Sequence, residues 1–130
     1  MAFKLAVISK DSSGTVFAAA YGDATARDFP DANRLHFNLI LGGDWASQHV
    51  VLDMDAVPFL DSSAIGWLIQ SQKRFREGGG YLVLHSVQPH VKNILNLLKI
   101  ERVVPMCRDA SSALLVLRDQ PAVDQPQVVA

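Results

Sequence analysis

Two short apolar runs, each followed by a helical pattern, limit this chain to an α/β fold. Residues 49–54 (HVVLDM) and 81–85 (YLVLH) are nearly continuous apolar segments, which is typical of strands covered on both faces. After each run, apolar residues recur at the spacing of an amphipathic helix. Because helical crossovers between buried strands indicate parallel pairing, we expect a mixed, mostly parallel β-sheet flanked by α-helices.

The other segments complete the element order ββαβαβαβα. Residues 3–9 and 15–21 are predicted to form an antiparallel strand pair, since a Ser-Ser-Gly turn separates them. A helix is predicted from Pro30 to the glycine pair at 42–43. A short fifth strand is expected at 103–106, and a last helix capped by Asp109 is expected after it.

The helix after the first buried strand has two predicted faces. It begins after the cap-type residues 61–63 and ends at the triple glycine 78–80. Trp67 falls nearly opposite the inward stripe, so it either packs against a neighbouring helix or anchors a partner protein. That stripe consists of Ile65, Leu68, Ile69, Gln72 and Phe75.

Length and composition favour one small domain that does not bind polyanions. With 130 residues and a net charge of -1, residues 1–119 are expected to form the domain. Residues 120–130 contain two prolines without periodicity and are expected to be a flexible C-terminal tail. The balanced charge argues against nucleic acid, and no apolar run is long enough to insert into a membrane. The single cysteine, Cys107, and the lack of a signal peptide favour the cytoplasm.

The residue types of an enzyme site are not grouped in this sequence. Ser62 has no neighbouring histidine, and the four histidines lie on different predicted elements without metal-ligand spacing. The triple glycine follows a helix and lacks the lysine of a phosphate-binding loop. We therefore expect no catalytic residues, no cofactor and no metal site.

A pair of serines at a strand-to-helix junction is the remaining candidate. Residues 61–63 (DSS) are as consistent with a helix cap as with a functional site. A phosphoryl group on Ser62 would add about -1.5 to -2 charges at the positive end of a helix dipole, where the fold tolerates it. The hydroxyl of Ser62 is expected to be exposed at the start of this helix, whereas Ser63 lies one residue further in, is less accessible and is the second choice as acceptor. Asp53 and Asp55 could face a partner, but ordering of the loop after the strand is the favoured role.

Three segments resemble the STAS domain, and in particular the single-domain bacterial anti-sigma-factor antagonists. They are residues 50–68 (VVLDMDAVPFLDSSAIGWL), 79–84 (GGYLVL) and 87–95 (VQPHVKNIL). The D-S-S-[GA]-[LI]-G signature is the most specific part. Ala64 stands where glycine is common in the family, and Trp67 stands where a small aliphatic residue is usual. Both departures could alter the choice of partner.

The resemblance implies a phosphorylation-controlled binding protein with no activity of its own. In that family, the unphosphorylated antagonist binds an anti-sigma factor that is also a serine kinase, and the sigma factor is released. Phosphorylation at the position of Ser62 abolishes binding, and a serine phosphatase reverses it. The alternative is a structural subunit of a stressosome-like scaffold or a lipid-transporter complex, and a homodimer is also left open. The expected partner-binding residues are Asp53, Asp55, Asp61, Ser62, Ser63, Ala64 and Trp67.

Overall fold

The computed structural model describes residues 3–29 and 36–119, which form one five-stranded sheet with helices on both faces. The strands are β1 (Lys4–Lys10), β2 (Val16–Tyr21), β3 (His49–Ala56), β4 (Tyr81–His85) and β5 (Met106–Cys107). The helices are α1 (Phe37–Leu41), α2 (Ser62–Gly78), α3 (Pro89–Leu97) and α4 (Ala110–Asp119). The predicted element order is confirmed. The predicted helix start at Pro30 and the predicted tail at 120–130 lie outside the described residues.

The strands lie side by side in sequence order, from β1 to β5. β1 pairs antiparallel with β2, and every later pair is parallel, as expected for a mixed sheet. Val50, Val51 and Leu52 of β3 are all fully buried, because helices cover both faces of the central strands. α2 packs on one face, whereas Ala113 and Leu117 of α4 pack on the other.

The fifth strand is shorter and later than predicted. The 103–106 prediction is wrong except at Met106, because Val103 and Val104 donate their N–H groups to the carbonyl of Ile100 and close a helical turn instead. Val104 is fully buried in this turn. The β-branched run therefore serves the core rather than the sheet.

The buried face of α2 is rotated from the predicted stripe. Trp67 is only 4% exposed, so its predicted place opposite the buried stripe is wrong, whereas the predicted packing against a neighbouring helix is confirmed. Its ring stacks on Phe37 of α1 at 5.4 Å and on Phe29 at 5.1 Å between centroids. Ile65 and Ile69 are only half-buried at the margin of the helix face. The aromatic residues of the first 40 positions thus decide which side of α2 is covered.

The glycines after α2 end the helix, as predicted. Gly79 adopts the left-handed conformation with φ 94°, and its N–H bonds back to the last turn. Gly80 lies against the backbone before β3, where an added Cβ would be 2.2 Å from the carbonyl oxygen of Gln48. Only glycine fits this close approach.

Candidate functional site

The segment between β3 and α2 is held in place by a second backbone segment, residues 22–24. The N–H of Gly22 donates to the carbonyl of Ala56, and the N–H of Ala24 donates to that of Phe59, both at 3.0 Å. In the opposite direction, the N–H of Asp61 donates to the carbonyl of Ala24, also at 3.0 Å. This ladder fixes where α2 starts, at the carboxyl end of the central strand.

Asp61 is the N-cap of α2, and its carboxylate accepts three backbone hydrogen bonds. One oxygen accepts from the N–H groups of Ser63 and Ala64 at 2.9 and 3.1 Å. The other accepts from the N–H of Ala26 at 2.9 Å, so the cap also holds the neighbouring loop. Both oxygens are therefore committed to structure, and Asp61 belongs to the framework of the site.

Ser62 is the first residue of α2 and is exposed to solvent. No hydrogen bond to its hydroxyl is present within the described residues, whereas Ser63 is half-buried one position further on. The exposure predicted for Ser62 is confirmed. Its Oγ is the hydroxyl at this helix start that a second protein reaches most directly.

The two acidic residues near the end of β3 differ in their surroundings. Asp53 is half-buried, and its carboxylate accepts the N–H of Asp55 at 2.9 Å, which orders the strand end as predicted. Asp55 is exposed, and its backbone carbonyl accepts from the side chain of Gln88 at 2.7 Å. The carboxylate of Asp55 thus faces solvent on the same rim as Ser62.

Two of the predicted partner-binding side chains are not at the surface. Ala64 is 1% exposed because its methyl group faces the core beneath the cap. Trp67 lies inside an aromatic cluster with Phe3, Phe29 and Phe37, so its ring is covered by this domain's own side chains. Both side chains belong to the buried face of α2 and pack in the core.

Sequence reasoning missed two parts of the rim. The loop at residues 25–28 lies beside α2 through the Ala26–Asp61 bond, and Phe59 is 49% exposed in the segment before the cap. In addition, Nε2–H of His90 donates to the carbonyl of Pro58, which ties α3 to the same segment. The only sequence signal for the loop is the turn-forming pair Gly22–Asp23, and it does not reveal the pairing with residues 56–61.

Within residues 3–29 and 36–119, no group of three or more His, Cys, Asp or Glu side chains is arranged to hold a metal ion. Nor does any helix of the described chain have the length and apolar character needed to cross a membrane.

The mixed sheet and the exposed serine that directly follows the N-cap of α2 define a small α/β domain of the STAS type. The model of the STAS domain family matches residues 9–113, and the chain belongs to this family. An anti-sigma F factor antagonist of Paenibacillus polymyxa is 27% identical over 70 residues. The match covers 54% of this chain and 60% of that protein, which is less than two thirds of the relative's length.

Solved structures with the same fold cover most of the described domain. An anti-sigma factor antagonist from Mycobacterium paratuberculosis has a TM-score of 0.68 at 19% identity, covering 89% of this chain and 96% of that chain. A protein from Thermotoga maritima assigned to the same class has a TM-score of 0.70 at 19% identity, covering 85% and 92%. The antagonist SpoIIAA in its unphosphorylated form has a TM-score of 0.55 at 14% identity, covering 92% and 100%. These likenesses show the fold.

Proposed function

We propose that this protein is an anti-sigma-factor antagonist of the bacterial cytoplasm that is switched by phosphorylation of Ser62. The unphosphorylated protein binds an anti-sigma factor that is a serine kinase, and the sigma factor is freed. Phosphorylation of Ser62 abolishes the binding, and a serine phosphatase restores it. The protein itself catalyses no reaction. The observation that carries the proposal is the hydroxyl of Ser62, which is exposed at the capped start of α2 and has no hydrogen-bond partner among the described residues.

The surroundings of Ser62 favour it over Ser63 as the acceptor. A kinase must bring the hydroxyl into its own active site, and Ser63 is half-buried with its N–H bound to Asp61. A phosphoryl group on Ser62 would project from the first turn, where the helix dipole stabilises negative charge. The fold would tolerate the modification, and only the contact with a partner would change.

The size of the expected effect follows from the charge that the phosphoryl group adds. It adds about -1.5 to -2 charges at neutral pH, on a rim that already carries the exposed Asp55. Like charges brought together in an interface cost several kcal/mol, and about 1.4 kcal/mol corresponds to a factor of ten in affinity. We therefore expect phosphorylation to weaken binding by roughly a hundredfold or more.

The test is a binding measurement with the serine-kinase anti-sigma factors encoded in the same genome. Unmodified protein, Ser62→Ala and Ser62→Asp are titrated against each kinase, with Ser63→Ala as the matched control. Ser62→Ala should bind like the unmodified protein, and Ser62→Asp should bind far more weakly. Incubation with ATP and the bound kinase, followed by mass spectrometry, should place one phosphate on residue 62 in the control variant and none in Ser62→Ala.

Two results would contradict the proposal. Equal affinity of the Ser62→Ala and Ser62→Asp variants would show that charge at this position does not control binding. Recovery of the protein in a stoichiometric assembly that neither change disturbs would favour the structural subunit instead.

A further inference from the structure

A cavity of about 310 Å³ lies at the opposite end of the sheet from Ser62. It is bounded by the turn between β1 and β2, by His49 at the start of β3, and by the last turns of α4. β3 has eight residues and so separates the cavity from the rim of Ser62 by roughly 23 Å. The volume is at the lower end of ligand pockets, which span roughly 300 to 1,000 Å³.

The turn side of the cavity presents a fixed carboxylate. One oxygen of Asp11 accepts from the hydroxyl of Ser13 at 2.7 Å and from the N–H groups of Ser13 and Thr15 at 3.0 and 2.9 Å. The hydroxyl of Ser13 and these backbone N–H groups lower the pKa of Asp11, so the carboxylate is ionised at neutral pH. The second oxygen accepts no hydrogen bond from the described part of the chain and is available to a ligand.

The helix side of the cavity presents the opposite charge beside an apolar wall. Arg118 lines the cavity together with Leu114 and Leu117. Among residues 3–29 and 36–119, an ion pair forms between Arg108 and Asp109 at 3.7 Å, and neither Arg118 nor Asp11 takes part in one. Two charges of opposite sign, neither of them ion-paired within the described part of the chain, thus line one cavity, and the leucine side chains lie on the same helix as the cation.

We propose that this cavity binds a small zwitterion with an aliphatic side chain, of the chemical class of an apolar α-amino acid. The free oxygen of Asp11 receives the ammonium group, and the guanidinium of Arg118 receives the carboxylate. The aliphatic side chain packs on Leu114 and Leu117. Because both charges are at the surface, the affinity is in the weak, millimolar range.

The test titrates ¹⁵N-labelled protein with L-leucine and follows the backbone amide signals by NMR. Signals of Ser13, Thr15, His49 and Leu114 should shift on binding, and the signal of Ser62 should not. Two analogues complete the test: 4-methylpentanoate lacks the ammonium group, and 3-methylbutylamine lacks the carboxylate. Each should bind roughly two- to fivefold more weakly than leucine, since each loses one exposed ion pair.

Two variants identify the side chain that recognises each charge. Arg118→Gln should weaken the binding of leucine but not of 3-methylbutylamine, and Asp11→Asn should weaken leucine but not 4-methylpentanoate. The exposed Arg102, which does not line the cavity, provides the control variant Arg102→Gln. The proposal fails if leucine shifts no cavity signal, if 4-methylpentanoate binds as tightly as leucine, or if both variants weaken all ligands equally. These outcomes do not depend on the function of Ser62, because Ser62→Ala should bind leucine like the unmodified protein.

Discussion

The side chain of Gln72 makes the hydrogen bonds to β4 that a neighbouring strand would otherwise make, and replacing it tests how much these bonds contribute to stability. The side chain is fully buried in α2. Its Oε1 accepts the N–H of Leu82, and its Nε2 donates to the carbonyls of Leu82 and Val103, at 2.9, 2.9 and 3.0 Å. β5 pairs with β4 only from Leu84 onward, so the polar groups of Leu82 on that side depend on Gln72.

Gln72→Leu keeps the size of the side chain and removes all three hydrogen bonds. It leaves the N–H and carbonyl of Leu82 and the carbonyl of Val103 without that partner. A buried group left unsatisfied costs about 1 to 3 kcal/mol, and the added apolar surface of leucine returns part of this. We expect the free energy of unfolding to fall by about 3 kcal/mol, a large fraction of the roughly 5 to 15 kcal/mol of an ordinary domain.

Urea unfolding followed by the fluorescence of the buried Trp45 and Trp67 measures this change. With a slope of about 2 kcal/mol per molar, the midpoint should fall by about 1.5 M. Gln70→Leu is the matched control, because Gln70 lies on the exposed side of the same helix and should change stability by less than about 0.5 kcal/mol. Equal midpoints for the two variants would refute the assignment of Gln72 as a strand substitute.

Three further predictions concern the ends of the strands and helices. Gly80→Ala should destabilise the protein by about 3 kcal/mol, since its Cβ would meet the carbonyls of Gln48 and Ala46; Gly66→Ala meets nothing within 4 Å and should stabilise α2 by about 0.5 to 1 kcal/mol, so equal unfolding midpoints would contradict both. Asp61→Ala should cost about 1 kcal/mol or more in urea unfolding through loss of the cap, whereas unchanged stability would deny the cap its role. Burial and, to a smaller extent, the carboxylate of Asp109 raise the pKa of the Cys107 thiol. The rate of Cys107 alkylation should therefore rise at a higher pH in the folded protein than in the urea-unfolded protein. Coincident pH profiles of the two rates would rule this out.

The order of elements and the parallel sheet could be predicted because the central strands are apolar on both faces. Val51 and Val83 face α4, while Val50 and Leu82 face the larger core, so the continuous apolar run directly reflects two covered faces. The start of α2 could be predicted because Asp61 accepts the N–H groups of Ser63 and Ala64 within its own helix, whereas its bond to Ala26 could not be predicted. Both predictions depend on residues that are close together in the sequence.

The covered side of a helix depends on distant segments, and there the predictions failed. Trp67 is buried because Phe3 and Phe29, far earlier in the chain, supply aromatic rings beside it. On α3, Val91 and Leu95 are buried, but Ile94 is 40% exposed although helical spacing places it on the same face as Val91. Helical periodicity determines which residues share a face of the helix, but it does not determine how much of that face is buried by other segments.

The cap and the proposed phosphoacceptor are adjacent, and their roles depend on each other. Because the carboxylate of Asp61 already accepts the N–H groups of Ser63 and Ala64, a phosphoryl group on Ser62 could not bind those donors without displacing the cap. The added charge would therefore remain directed to solvent or to a partner. If the serine itself were the N-cap, its oxygen would bind the N–H groups of the first turn and a phosphoryl group on it would contact the helix. Because the aspartate before it is the N-cap, the serine hydroxyl is left accessible to a partner.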